Sequence, residues 1–261
     1  MIDFHTHIFP DQIAEKSMPH LAKVCRTKPF TDGKLSGLLS SMKDARLDYS
    51  VILPVVTAPK QFDSIHRFAM QFLGAQNLTS FAGIHPENDN YKERLRWIQA
   101  QGFKGIKLHP DYQNMYFNDI RCKRIISYAT ELDLVVVTHA GIDPLCPNDI
   151  HCTPQMAAEV IKEVQPTKLV LAHMGGNGLY DDVERYLVGM DVFFDTSYVL
   201  DKMPQEQFIR MVRKHGADKI LFASDSPWGG QKEFVNLFQN LPLTDSEKRK
   251  IGIENARKLL F

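Results

Sequence analysis

The sequence predicts an α/β protein folded as one domain over residues 1–261, closed as a (β/α)8 barrel with a long loop-and-helix excursion after its first strand. Three observations predict this. Eight short apolar, β-branched runs recur along the chain, stretches of helical spacing separate them, and no Gly/Ser-rich or charge-block linker divides the whole. The runs are Ile2–His5, Tyr49–Val55, Ser80–His85, Phe103–His109, Leu134–His139, Lys168–His173, Val192–Thr196 and Lys219–Asp225. Their spacing is too irregular for a solenoid repeat. No Gly-x-Gly-x-x-Gly follows the first run, which counts against an open doubly wound sheet.

The elements justify themselves in order. After the first run, residues Phe9–Gly33 carry Pro10, Pro19 and Pro29 and form the widest gap between strands. A βα excursion of that length would hang over the C-terminal mouth as a lid; an extra surface helix is the alternative. In Leu35–Leu47 the apolar positions Leu35, Leu38, Leu39 and Met42 mark one helical face. Leu134-Val135-Val136-Val137 and Leu169-Val170-Leu171-Ala172 are apolar on successive residues, as strands covered on both faces require. Thr153-Pro154 opens a helix whose stripe is Met156, Ala157, Val160, Ile161 and Val164. Thr244 with Glu247 is a capping-box pattern for a last helix running toward Leu259 and Leu260.

Composition excludes several function classes. Lys plus Arg is 31 and Asp plus Glu is 31, so a net charge of zero leaves no footprint for nucleic acid or an anionic membrane. No run approaches the length of a spanning helix. Met1 leads straight into the first strand without a basic and apolar leader, so a cytoplasmic location is expected. The four cysteines (Cys25, Cys122, Cys146, Cys152) are too sparse for a disulfide scaffold and are expected to be reduced.

The histidines carry the chemistry. Of ten, six close a predicted strand or follow its end: His5, His7, His85, His109, His139 and His173. The C-terminal ends of the strands are where such barrels place their active sites. Strand side chains alternate, so His5 and His7 point to the same side, and two neutral imidazoles in one cavity suit a divalent metal. His139 precedes Ala140-Gly141, and His173 precedes Met174-Gly175-Gly176. Singly, each of these could be a core or capping histidine. Asp225 ends the eighth run, and barrel closure would set it beside His5 and His7, where a carboxylate can ligate a metal and accept a proton.

His5-Thr6-His7, the strand-end His139 and His173, and Ser224-Asp225-Ser226-Pro227 together resemble the amidohydrolase superfamily. The chain is most similar to the amidohydrolase-related branch that includes aminocarboxymuconate-semialdehyde decarboxylase, through Gly105-Ile106-Lys107-Leu108-His109-Pro110, Ala172-His173-Met174-Gly175-Gly176, Asp195-Thr196-Ser197 and Asn255-Ala256. The resemblance implies one divalent ion, usually zinc, on His5, His7, His139 and Asp225, with His173 orienting or activating the attacking water and Asp225 assisting as base. A second ion bridged by a carboxylated Lys107 is the two-metal variant; an uncarboxylated Lys107 would bind a substrate carboxylate. Ala223-Ser224-Asp225 departs from the Glu-Thr-Asp motif of the DNase-like relatives. Ser226-Pro227 after Asp225 departs from the late Asp-x-His pair of the polymerase-and-histidinol-phosphatase family.

The proline-rich loop Gly141–Cys152 holds Asp143, Asp149 and His151. His151 is a candidate substrate or acid–base group, against a structural role at the helix start by Thr153. Cys146, His151 and Cys152 lack a fourth ligand for a zinc site of their own. His85 and His109, each before proline, are expected to shape loops, and Trp228 to wall the pocket or cover the rim. The expected function is a metal-dependent hydrolase that attacks a carbonyl-type centre (amide, ester or lactone) of a small anionic molecule. The alternative is a metal-dependent lyase, a decarboxylase or hydratase, on an unsaturated acid; a non-catalytic binding barrel is the remote one. Its expected partner is a small-molecule substrate, with no nucleic acid and no membrane; a homodimer is left open.

Overall fold

A computed structural model describes residues 1–261. Its parallel strands are β1 (Ile2–Thr6), β2 (Tyr49–Ile52), β3 (Leu78–Ser80), β4 (Ala82–Gly83), β5 (Gly105–Leu108), β6 (Val135–Thr138), β7 (Leu169–Leu171), β8 (Phe193–Asp195) and β9 (Ile220–Leu221). They pair in the orders β1-β2-β3 and β4-β5-β6-β7-β8-β9. β3 and β4 are halves of one barrel strand parted at Phe81, whose N–H donates to Ile52 O at 2.9 Å. The barrel closes between its ends. Phe4 N donates to Phe222 O and Asp225 N to His5 O, both at 2.9 Å, and Thr6 forms a parallel bridge with Ser226.

The helices are α1 (Asp11–Cys25), α2 (Leu35–Ala45), α3 (Phe62–Ala69), α4 (Tyr91–Ala100), α5 (Ile120–Glu131), α6 (Pro154–Val164), α7 (Tyr180–Tyr186), α8 (Gln205–His215), α9 (Gln231–Gln239), α10 (Asp245–Arg249) and α11 (Asn255–Leu260). Two apolar layers result. Inside the strands, Ile2, Phe4, Val51, Leu53, Phe81, Val135, Val137, Val170 and Leu221 form a small cluster that Leu259 and Leu260 of α11 join. Val136, Leu169 and Leu171 face the larger cluster under the helices, so the continuous apolar runs are covered on both sides.

Several strands stop short of the expected ends. β2 ends at Ile52 rather than Val55 because Pro54 has no N–H to extend the ladder. Lys219 belongs to a short 3-10 turn, and only Ile220 and Leu221 of the eighth run form ladder. The last helix is interrupted too. A π turn at Lys250–Glu254 separates α10 from α11, Ile251 O accepts from Phe222 N at 2.9 Å, and Asn255 donates to Ala217 O and Ile220 O. Opening one turn lets the helix backbone bond the barrel floor. The caps agree with the sequence: Thr153 accepts from Met156 N, and Thr244 and Glu247 form the capping box.

The excursion after β1 reaches the mouth. Thr27 Oγ1 lies 3.2 Å from Tyr198 OH, and Phe30 N donates to Pro227 O at 2.7 Å. These contacts fall on loops after two different barrel strands, which is the lid arrangement.

Candidate metal centre and active site

The pairing of β1 with β2 slips between Asp3 and Thr6. Asp3 and His5, two residues apart, therefore meet different surroundings. Asp3 accepts from Ser224 N, Ser224 Oγ and Gln231 Nε2, while His5 turns to the mouth. Burial pushes the Asp3 carboxyl up to about 6 against these hydrogen bonds.

His5 Nδ1 donates to Asp195 Oδ2 at 2.8 Å, and His7 Nδ1 donates to Leu53 O at 2.7 Å. These partners put the ring protons on Nδ1 and leave both Nε2 atoms as lone pairs, 3.1 Å apart. Asp225 Oδ1 completes the group at 3.4 Å from His5 Nε2 and 3.2 Å from His7 Nε2. Three acceptors thus converge, and the donor that reaches them is Lys107 Nζ, 3.1 Å from His5 Nε2. Such a donor set fits a divalent cation.

Burial, and then the Lys107 ammonium, lower His5 to about 4, so its ring is neutral. Burial also lowers Lys107 to about 8, opposed by Asp195 and Asp225. For Asp195, burial works against the charge, but His5, His173 and Ser197 hold it far below the carboxylate range. His173, Tyr198 and Asp225 sit just past their strands with φ of 59°, 61° and 69°, left-handed values that non-glycine residues hold only where the surroundings fix them.

His173 Nδ1 donates to Ser197 O at 2.9 Å, and its Nε2 lies 3.0 Å from His139 Nδ1. No hydrogen bond joins His139 to His5, His7 or Asp225; its ring stacks on His109 at 4.4 Å and groups with His109 and Asp143. The structure thus brings His5, His7, Asp225 and Lys107 into direct contact, with His139 one ring further out behind His173. His151 does not bond the helix start; its Nδ1 lies 3.1 Å from Asp111 Oδ1. His85 shapes its loop as expected, accepting from Glu87 N. His109 accepts from Tyr112 N but also stacks on Tyr112 at 3.9 Å, which makes it part of the wall. Trp228 is half-buried, its N–H on Asp225 O at 2.8 Å.

Asp195 and Asp111 carry no assigned role in the sequence reading. Asp195 Oδ1 accepts from His173 N at 2.9 Å and Ser197 N at 3.0 Å while Oδ2 holds His5. The available signal was a carboxylate ending an apolar strand run, Val192-Phe193-Phe194-Asp195, level with the strand-end histidines.

A family model described as amidohydrolase matches residues 2–261. No curated protein matches significantly. Solved structures resemble the chain over nearly its whole length. A 2,6-dihydroxybenzoate decarboxylase from Rhizobium is 18% identical, with 99% of this chain and 98% of that one covered and a TM-score of 0.73. A 5-carboxyvanillate decarboxylase from Sphingomonas paucimobilis is 12% identical, with 100% and 98% covered and a TM-score of 0.75. A dihydroxybenzoic acid decarboxylase from Polaromonas, with bound manganese and the inhibitor 2-nitroresorcinol, is 16% identical, with 99% and 96% covered and a TM-score of 0.70. At these identities the likeness establishes a shared barrel fold.

Proposed function

The chain belongs to the amidohydrolase family, and from that premise we propose a metal-dependent lyase that releases the carboxylate of a small unsaturated or aromatic acid as carbon dioxide. The observation that carries it is the convergence of His5 Nε2, His7 Nε2 and Asp225 Oδ1 beside the Lys107 ammonium. The decarboxylases that share the fold favour this lyase over the hydrolase expected from the sequence.

His5, His7 and Asp225 would hold the divalent ion; zinc is the ion the resemblance suggests, and manganese is bound in one of the similar structures. When bound, it supplies a Lewis acid that draws electron density from a substrate oxygen. Lys107 Nζ offers a buried positive charge to the substrate carboxylate. Asp195 and Leu53 O fix the tautomers of His5 and His7, so neither ring places a proton toward the ion. In decarboxylation the C–C bond breaks, its electron pair stays on the substrate carbon, and that carbon takes a proton. That proton comes from solvent, and the Asp225 carboxylate at the site is placed to relay it, while His173, its Nδ1 proton held by Ser197 O, orients the group. The lid segment, tied by Thr27 to Tyr198 and by Phe30 to Pro227 O, screens the site from water during this step.

The test loads the protein with Mn2+ or Zn2+ and supplies carboxyl-labelled hydroxybenzoates and unsaturated acids. Labelled carbon dioxide, with solvent deuterium at the vacated carbon, is the expected result. Turnover of amides, esters or lactones with no carbon dioxide release would return the function to hydrolysis.

A further inference from the structure

Two residues before His5 lies a buried carboxylate that the proposed chemistry does not use. Asp3 is fully buried where β1 meets the segment after β9. Its Oδ1 accepts from Ser224 N at 2.9 Å and from His5 N at 3.3 Å. Its Oδ2 accepts from Ser224 Oγ at 2.6 Å and from Gln231 Nε2 at 2.8 Å. All four donors are neutral, so Asp3 is not half of an ion pair. Burying a carboxylate is costly, and one kept at that cost holds something an apolar residue would not.

Barrel closure alone does not account for it. The main chain already joins the two ends through Phe4 N to Phe222 O, Asp225 N to His5 O and His7 N to Ser226 O. What Asp3 adds falls around Asp225. It takes Ser224 N and Ser224 Oγ on one side, and Ser224 Oγ in turn accepts from Ser226 N on the other at 3.0 Å. The N–H groups before and after Asp225 are thus tied to one carboxylate, directly and through one hydroxyl. The residue they bracket has φ of 69°, a conformation an aspartate holds only where its surroundings impose it. Gln231 points the same way. It is fully buried and gives its Nε2 to Asp3, while its own Oε1 has no partner.

We propose that Asp3, acting through Ser224, is a positioning residue for the metal centre. It sets the backbone at Asp225 and at His5 so that Asp225 Oδ1 stands 3.2 Å from His7 Nε2 and 3.4 Å from His5 Nε2. The inference rests on the metal site of the proposed function and adds the device that preorganises it. Four donors need two acceptor oxygens, and asparagine offers one. In Asp3→Asn the amide nitrogen faces Ser224 Oγ and Gln231 Nε2, both donors in the wild type, and the bracket around Asp225 loosens.

Calorimetric titration with Mn2+ and the visible absorption of Co2+-loaded protein read the site without any substrate. Asp3→Asn is expected to weaken Mn2+ binding about tenfold, the low end for loss of a supporting partner. It should also shift the Co2+ bands, which follow ligand geometry. Ser224→Ala should do the same, and the double variant should bind no more weakly than the worse single one, because both cut one chain of bonds. Thr244→Ala is the control: it loses a helix cap on α10 and should melt earlier, yet keep the wild-type dissociation constant and spectrum. Ser224→Ala removes one oxygen and carries the test if Asp3→Asn does not fold. Variants that melt earlier but match the wild type in Mn2+ affinity and Co2+ spectrum would make Asp3 a structural residue and overturn the proposal alone. A wild-type protein that takes up neither ion would overturn the metal site and the proposed function with it.

Discussion

Replacing Asp195 by asparagine changes one atom and reverses one hydrogen bond. Oδ1 accepts from His173 N, Ser197 N and Ser197 Oγ, so the amide oxygen of the variant must take that position. The NH2 group then replaces Oδ2 and faces His5 Nδ1, 2.8 Å away, which in the wild type is itself a donor. Two donors cannot share that contact, so the His5 proton moves to Nε2, into the group formed with His7 and Asp225. A cation must displace that proton to bind. Loss of such a supporting partner costs about 10–100-fold in metal affinity, or about 1.4–2.7 kcal/mol. Calorimetric titration of the metal-free protein with Mn2+ measures it, with the melting temperature showing that the fold persists. An unchanged dissociation constant in Asp195→Asn would refute the tautomer argument.

Lys107→Met removes an ammonium 3.1 Å from His5 Nε2 and should tighten Mn2+ binding by about tenfold; an unaltered titration would show that Nζ does not oppose the ion. His66 donates from Nδ1 to Phe62 O and accepts at Nε2 from Gly83 N, so it is bonded only as a neutral ring, and burial lowers it to about 4 from an ordinary 6.5. The unfolded chain therefore binds the proton first, and stability should fall as pH drops through this window, by up to about 3 kcal/mol from this residue. His66→Gln should flatten the urea midpoint against pH between about 6.5 and 4, and an unchanged slope would contradict it. Gly141 has φ of 89°, and a Cβ there would lie 2.1 Å from Asn177 N, so Gly141→Ala should cost at least about 2 kcal/mol in denaturant unfolding. Thr244→Ala should lose about 1 kcal/mol by the same assay through its capping box.

Periodicity exposed the alternation of strands and helices, and the strand-end histidines marked which end carries chemistry. What sequence leaves hidden is set by contacts across the barrel. The register slip in β1 separates Asp3 from His5 although parity pairs them. The ring nitrogens of His5, His7 and His173 are assigned by Asp195, Leu53 O and Ser197 O, two of which are main-chain atoms that any residue type could supply. Asp111 drew no notice because its partners, His139 and His151, reach it from the loops after another strand.

Barrel closure has a consequence in time as well as in space. His5 lies in the first strand made and His7 directly follows it, whereas Asp225 follows the last strand and is drawn in only when its N–H meets His5 O. During synthesis a nascent chain presents a bare pair of imidazoles and cannot retain an ion selectively. If these residues hold the proposed ion, loading waits until translation is nearly finished, and a chain truncated before Asp225 is expected to emerge unmetallated.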